Sequence, residues 1–162
     1  MEKNDIKYMD ISLDLAIKGI NTCMPNPRVG CVIVKNNKII GQGWHSQTGD
    51  SHAEIMALKS AGEDAKSSTV FVSLEPCSHI GRTGPCCDAL IAAGISRLVI
   101  AGIDPNPEIS GLGIKKIESA GIEKHGMNSY AMKVMDEAGI SISTQSSKTL
   151  EEIGVDFDCV VT

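Results

Sequence analysis

Four short apolar runs, at residues 29–34, 38–44, 69–74 and 97–101, alternate with turns and amphipathic segments, and this alternation restricts the fold more than any other feature of the chain. The first two runs flank Lys35-Asn36-Asn37, a composition suited to a tight hairpin turn, so the sheet is expected to begin antiparallel. Met9, Leu13, Ala16, Ile17 and Ile20 recur at helical spacing before them, and Asn21 with Pro25 and Pro27 ends that segment. Helices are expected at 53–61, 86–93 and 111–120, between and after the later strands. Strand and helix in turn imply parallel pairing between helical layers, so the expectation is an α/β fold, a three-layer α/β/α sandwich around a mixed sheet. A chain of 162 residues can bury one full core and a small appendage.

Composition narrows the partners. The net charge is −5 and aromatic residues make up 3%, with no basic run, which disfavours a nucleic-acid partner because neither phosphate attraction nor base stacking is provided for. The charged start Met1-Glu2-Lys3-Asn4-Asp5 leads into an amphipathic stretch without an apolar signal core or a membrane-length span. No membrane partner is expected, and a soluble cytoplasmic protein is. Six cysteines in such a chain suggest reduced thiols or metal ligands in preference to a disulfide framework.

His52-Ala53-Glu54, Pro76-Cys77 and Cys86 together form the pattern with chemical content. One imidazole and two thiolates suit zinc (Zn2+) and leave a fourth tetrahedral position for water, the feature that separates a catalytic from a closed structural site. Glu54, at the start of the expected helix, would stand close to the metal but outside the ligand set, as the proton carrier of a hydrolytic deaminase. Plainer readings exist for each part. Ser51-His52-Ala53-Glu54 fits a capping box, and Cys77 and Cys86 fit as buried core thiols. The conjunction of a His-x-Glu helix start with Pro-Cys at the end of an apolar strand favours zinc. Cys87 is as good a thiol as Cys86 on chemical grounds, and spacing alone leaves both open. The interval from Cys77 to Cys86 also exceeds the Pro-Cys-x-x-Cys interval of many zinc deaminases.

Residues 9 to about 120 resemble the deaminase domain of the bifunctional riboflavin-biosynthesis deaminase/reductases. The likeness is carried by Pro25-Asn26-Pro27-Arg28-Val29-Gly30-Cys31-Val32-Ile33-Val34, Gly43-Trp44-His45, His52-Ala53-Glu54, the stretch from Leu74-Glu75-Pro76-Cys77 through Gly84-Pro85-Cys86, and Asp104-Pro105-Asn106-Pro107. That family has the long cysteine spacing. The resemblance implies a cytidine-deaminase-like sandwich, zinc on His52, Cys77 and Cys86, Glu54 as proton shuttle, and a small non-ligand residue in the place of Cys87. It also implies a small-molecule phosphoribosyl-pyrimidine substrate, diaminohydroxyphosphoribosylaminopyrimidine, with Asn26 and His45 near the base and His79 in the ligand loop. Arg82 would face the phosphate, and Asp104 with Asn106 the ribose. These residue types suit such roles, although on chemical grounds His45, Arg82 and the Asp104 turn also fit ordinary structural positions. Gly84 stands where the family commonly has a second proline, which predicts a less rigid ligand loop. A homo-oligomer is compatible with the sequence.

The C-terminal part reads differently. Ser119-Ala120-Gly121-Ile122-Glu123-Lys124-His125-Gly126-Met127-Asn128 and the residues after it resemble an internal piece of arsenate reductases and low-molecular-weight tyrosine phosphatases. The expected organisation is a zinc deaminase domain over 1–118 and a fragment of that flavodoxin-like, phosphatase-like fold over 119–162, with a join between about 115 and 125, extending the sheet by a helix and a strand. Ala131, Met132, Val134, Met135 and Ala138 form a helix stripe, and 157–161 reads as a final strand. Arsenate reductase chemistry needs an arginine six positions after a nucleophilic cysteine, and Cys23 to Arg28 and Cys77 to Arg82 are each one residue short. His125 and Cys159 are not expected to be catalytic, and too few residues follow for a reductase domain. The competing reading from another class is a non-catalytic chimera, natural or engineered, that keeps the zinc site for folding.

Overall fold

The computed structural model describes residues 3–80 and 84–125. Helix α1 (Lys3–Ile17) is followed by strands β1 (Gly30–Lys35) and β2 (Lys38–Trp44), helix α2 (Ala53–Ala61), strand β3 (Thr69–Leu74), helix α3 (Cys86–Ala92), strand β4 (Arg97–Gly102), helix α4 (Leu112–Ser119) and strand β5 (Glu123–His125). The strands and helices expected before residue 121 are present among the described residues, with ends moved by a few residues. Helix α1 starts ahead of its apolar stripe because Asp5 in its first turn forms a two-pronged ion pair with Arg97 of β4, at 2.9 and 2.7 Å. It stops before Ile20, where the chain tightens into turns from Lys18, Gly19 and Ile20 to the carbonyls three residues back. Among the described residues no helix is long and apolar enough to cross a membrane.

The sheet order is β2-β1-β3-β4-β5. Strand β1 is antiparallel to both β2 and β3, whereas β3 pairs parallel with β4, and β4 with β5. Asn36 and Asn37 make the β1–β2 turn with φ of 52° and 60°, the left-handed pair that a two-residue hairpin loop requires. Helix α4 ends at Ser119 with Ala120 as its C-cap, and β5 then adds parallel to β4 in the register Arg97↔Glu123. The expected helix at 131–138 and strand at 157–161 lie outside the described residues.

Both faces of the sheet are buried, which the two-residue side-chain period of a strand makes legible. Val32, Val34, Phe71, Val99 and Ala101 pack with Tyr8, Met9 and Leu15 of α1. Their neighbours Cys31, Ile33, Val70, Val72, Leu98 and Ile100 pack with Ala53, Ala57, Leu90 and Ile117 of α2, α3 and α4. The three-layer arrangement follows.

Strand direction decides where the loops meet. Cys31 stands opposite Val72 and Val34 opposite Thr69, so the start of β1 lies beside the end of β3. Gly30 faces Trp44, which brings in the end of β2, and parallel β4 ends beside β3. The segments before β1 and after β2, β3 and β4 therefore leave one end of the sheet, where open α/β sheets bind ligands. Glycine sets how closely α2 approaches there: a Cβ on Gly43 would lie 2.3 Å from the Ala53 carbonyl oxygen, and one on Gly41 would lie 2.4 Å from that of Ala57. Any side chain at Gly43 would push the helix start off the strand.

Candidate metal centre

The His52 imidazole sits at the mouth of α2, Cys77 follows β3 after Glu75-Pro76, and Cys86 opens α3. Their donor atoms lie within 4.8 Å of one another, with His52 Nδ1 3.6 Å from Cys77 Sγ and 3.3 Å from Cys86 Sγ. A tetrahedral zinc with ordinary Zn–N and Zn–S bonds separates those atoms by roughly 3.6 Å. The donor set and the spacing fit zinc, and one tetrahedral position is left without a protein ligand. The capping box expected as an alternative does not form. Helix α2 starts at Ala53 with His52 as its N-cap and no side-chain cap bond, while Ser51 Oγ accepts from Lys59 Nζ at 3.4 Å.

The helix start of α3 also separates the two adjacent cysteines. The Cys86 N–H donates to Cys77 Sγ at 3.4 Å and the Cys87 N–H to the Cys77 carbonyl at 3.2 Å. Cys86 then projects its sulfur toward His52, while the Cys87 thiol, one residue on and turned away, donates to the Pro76 carbonyl at 3.2 Å. Burial pushes the Cys87 thiol up to about 12, and it raises the fully buried Cys31 thiol well above the ordinary range. Both stay protonated and inert at neutral pH.

Within the ligand set the protons are held unequally. A hydrogen bond from the Cys86 thiol holds Cys77 down at about 4, against the effect of burial. That same bond, with burial, drives Cys86 far above the usual thiol range. His52 is raised chiefly by its hydrogen bond with Cys77, with burial opposing. Glu54 is 3% exposed, and burial pushes its carboxyl up to about 7, with its own backbone N–H pulling the other way.

Beside the metal ligands lies a polar pair. His45 is buried, its ring 5.5 Å from the His52 ring and edge-on to it. Its Nδ1 stands 3.4 Å from the Ser51 carbonyl oxygen and its Nε2 3.0 Å from Asn26 Nδ2. A carbonyl can only accept, so Nδ1 donates to it and Nε2 accepts from the Asn26 amide. Asn26 and His45 are thereby joined to the metal site through His52. His79 lies exposed in the ligand loop, and Arg82 lies outside the described residues. Asp104 and Asn106 use their Oδ1 atoms to accept the backbone N–H groups of Asn106 and Glu108, at 2.9 and 3.1 Å. Asp104 is half-buried and Asn106 exposed.

One buried carboxylate had no role in the sequence reading. Glu75, at the end of β3, accepts the backbone N–H groups of Asp104, Gly111, Gly113 and Ile114 at 2.9 to 3.3 Å. Its signal in the sequence is an acidic residue set between an apolar strand and Pro76-Cys77.

Residues 2–102 match the model of the cytidine and deoxycytidylate deaminase zinc-binding region. The chain is 58% identical over 119 residues to the diaminohydroxyphosphoribosylamino-pyrimidine deaminase of Buchnera aphidicola subsp. Acyrthosiphon pisum, covering 74% of this chain and 81% of that protein. It is 54% identical over 124 residues to the riboflavin biosynthesis protein RibD of Escherichia coli K12, across 76% of this chain and 34% of the relative. The solved structure of Acinetobacter baumannii RibD, form 1, superposes with a TM-score of 0.78 at 42% identity, over 86% of this chain and 40% of that one. The chain thus spans about a third of the length of the Escherichia coli RibD and most of the length of the Buchnera deaminase. A three-donor zinc site at the loop end of a mixed sheet, in a sequence so similar to these proteins, places the chain in the zinc-binding cytidine and deoxycytidylate deaminase family, among its riboflavin-biosynthesis deaminases.

Proposed function

We propose that the chain hydrolytically deaminates diaminohydroxyphosphoribosylaminopyrimidine: water enters, the exocyclic amine leaves as ammonia, and the water oxygen becomes the ring carbonyl. The observation that carries this reading is a buried carboxylate, Glu54, two residues from a ligand of a three-donor metal site. Bound at His52, Cys77 and Cys86, zinc supplies the Lewis-acid activation of water for attack on the amine-bearing carbon. Glu54 takes up the proton that water loses and returns it to the departing nitrogen. A carboxyl held near neutrality moves a proton in both directions with little cost, and a cation alongside lowers it toward the anion that accepts first.

Asn26 and His45 hold the base. With its amide N–H given to His45 Nε2, Asn26 turns its carbonyl oxygen away as an acceptor for a ring or exocyclic N–H of the substrate. His79 borders the ring from the ligand loop, Arg82 pairs with the phosphate, and Asp104 with Asn106 meets the ribose. Residues 1–118 form the deaminase unit in this reading. The likeness of 119–162 to an arsenate reductase fragment is proposed as the origin of that segment, on the strength of its sequence from Ser119 to Asn128.

The test is ammonia release from the phosphoribosyl diaminopyrimidinone by purified protein, with zinc quantified in the same sample and Glu54→Gln alongside. The variant is expected to fold, to hold zinc and to lose about 10² to 10⁴ in rate, the usual contribution of positioned proton transfer. Substantial turnover in Glu54→Gln would sink the assignment of Glu54, and zinc without turnover in the wild type would sink the deaminase reading.

A further inference from the structure

We infer that Glu75 is a positioning residue that ties the zinc-ligand loop to the ribose-binding wall; this rests on the deaminase reading above. The carboxylate lies two residues before Cys77, at the end of β3, and Glu75 is 6% exposed. Its Oε2 accepts from Asp104 N–H at 3.2 Å and Gly111 N–H at 2.9 Å, and its Oε1 accepts from Gly113 N–H at 2.9 Å and Ile114 N–H at 3.3 Å. The first two donors bracket the segment that carries Asp104 and Asn106. The other two belong to the first turn of α4, whose N-cap, Gly111, is left-handed at φ 77° and offers no side chain. A helix start without a capping side chain leaves backbone donors that must find partners, and here the partner comes from the adjacent strand end.

The approach is close as well as polar. A Cβ on Gly113 would lie 2.1 Å from the Pro76 carbonyl oxygen, so α4 rests directly on the residue between Glu75 and the ligand Cys77. The Cys87 thiol spans the same gap, 3.2 Å from the Pro76 carbonyl and 3.5 Å from that of Gly113. The ends of β3 and β4 carry different parts of the site, and one buried side chain sets their relation. Charge-assisted bonds to a carboxylate are the strong kind, and losing part of such a cluster frees the segment it holds. An amide at this position presents one oxygen and one NH2 group, and the NH2 group meets N–H donors where an oxygen had accepted them.

The experiment compares wild type and Glu75→Gln in the zinc-loaded full chain, measuring kcat and KM for ammonia release, zinc content, and inhibition by ribose 5-phosphate. KM and the ribose 5-phosphate inhibition constant are expected to rise about tenfold while kcat stays within about threefold and zinc is retained, since one lost charged hydrogen bond is of that order. A drop in thermal stability with both constants unchanged, or an equal loss in kcat with no change in KM, would overturn the inference. If the wild type itself releases no ammonia, the deaminase reading has failed separately. Amide hydrogen exchange on the wild-type protein decides the clamp in that case, and also if the variant does not fold. Slow exchange at Asp104, Gly111, Gly113 and Ile114 supports it, and exchange at exposed-loop rates overturns it.

Discussion

The backbone N–H of Cys86 lies 3.4 Å from the sulfur of Cys77, so the first residue of α3 both supplies one zinc ligand and donates to another. It adds to the larger effect of the hydrogen bond from the Cys86 thiol, and the two together fix where the ligand set holds its protons. With Cys77 held down at about 4 it is a thiolate across the neutral range, while Cys86 is raised and keeps its proton. Zinc must displace the Cys86 proton, so affinity increases as pH rises. The expected slope is about tenfold per pH unit for one displaced proton. It steepens at lower pH, where His52, also raised, must lose a proton too. Zinc titration with a competing chelator at several pH values measures the slope, and affinity that falls with rising pH would contradict this division of protons.

Cys86 and Cys87 are distinguished by direction, and substitution separates them. Cys86→Ser is expected to lose zinc, since a hydroxyl is a poor replacement for a thiolate ligand. Cys87→Ser is expected to retain it, because a serine hydroxyl can still donate to the Pro76 carbonyl that the thiol now reaches at 3.2 Å. Zinc per chain after exhaustive dialysis is the readout, and equal loss in both variants would count against the ligand set.

Gly43 controls the seat of α2 and hence of His52 and Glu54. With the Ala53 carbonyl 2.3 Å from a would-be Cβ, Gly43→Ala must move the helix start. Overpacking of this kind costs about 1 to 3 kcal/mol in stability. Ammonia release should fall by more than the change in folded fraction explains. Unchanged denaturation midpoint and unchanged turnover together would show that α2 is not seated by this contact.

Asp5 and Arg97 hold the opposite end of the sheet, with side chains 3% and 14% exposed. Asp5→Ala removes the charge-assisted hydrogen bonds of this pair and should cost about 1.5 to 3 kcal/mol. Zinc stoichiometry, measured at a temperature where the variant is folded, should stay at the wild-type value, because the pair is remote from the ligand loops. Loss of zinc in folded protein would show coupling that this arrangement does not account for.

Periodicity alone made the layers and strands legible. Val70-Phe71-Val72 and Leu98-Val99-Ile100 are apolar at every position because both faces of the sheet are covered, and runs of this sort can hardly be placed otherwise. His52, Glu54 and Cys77 were legible because zinc chemistry restricts which side chains can serve and because each falls at a strand end or helix start. The resemblance in sequence favoured Cys86 over its neighbour, but residue spacing could not make that choice. The turn of α3 decides it, since consecutive helical residues point about 100° apart and only one thiol can face His52. Likewise the antiparallel pairing of β1 with β3, which gathers the loops at one end, depends on contacts between distant segments. Glu75 is the sharpest case: its four donors lie 29 to 39 residues further along the chain, and no local pattern announces them. Residue types and their spacing already select a zinc-ligand set with a carboxylate beside it, because ligand type and spacing are local. Tertiary structure alone decided which thiol, which tautomer of His45 and which buried carboxylate hold that chemistry in place, because direction and hydrogen-bond partnership exist only once distant segments meet.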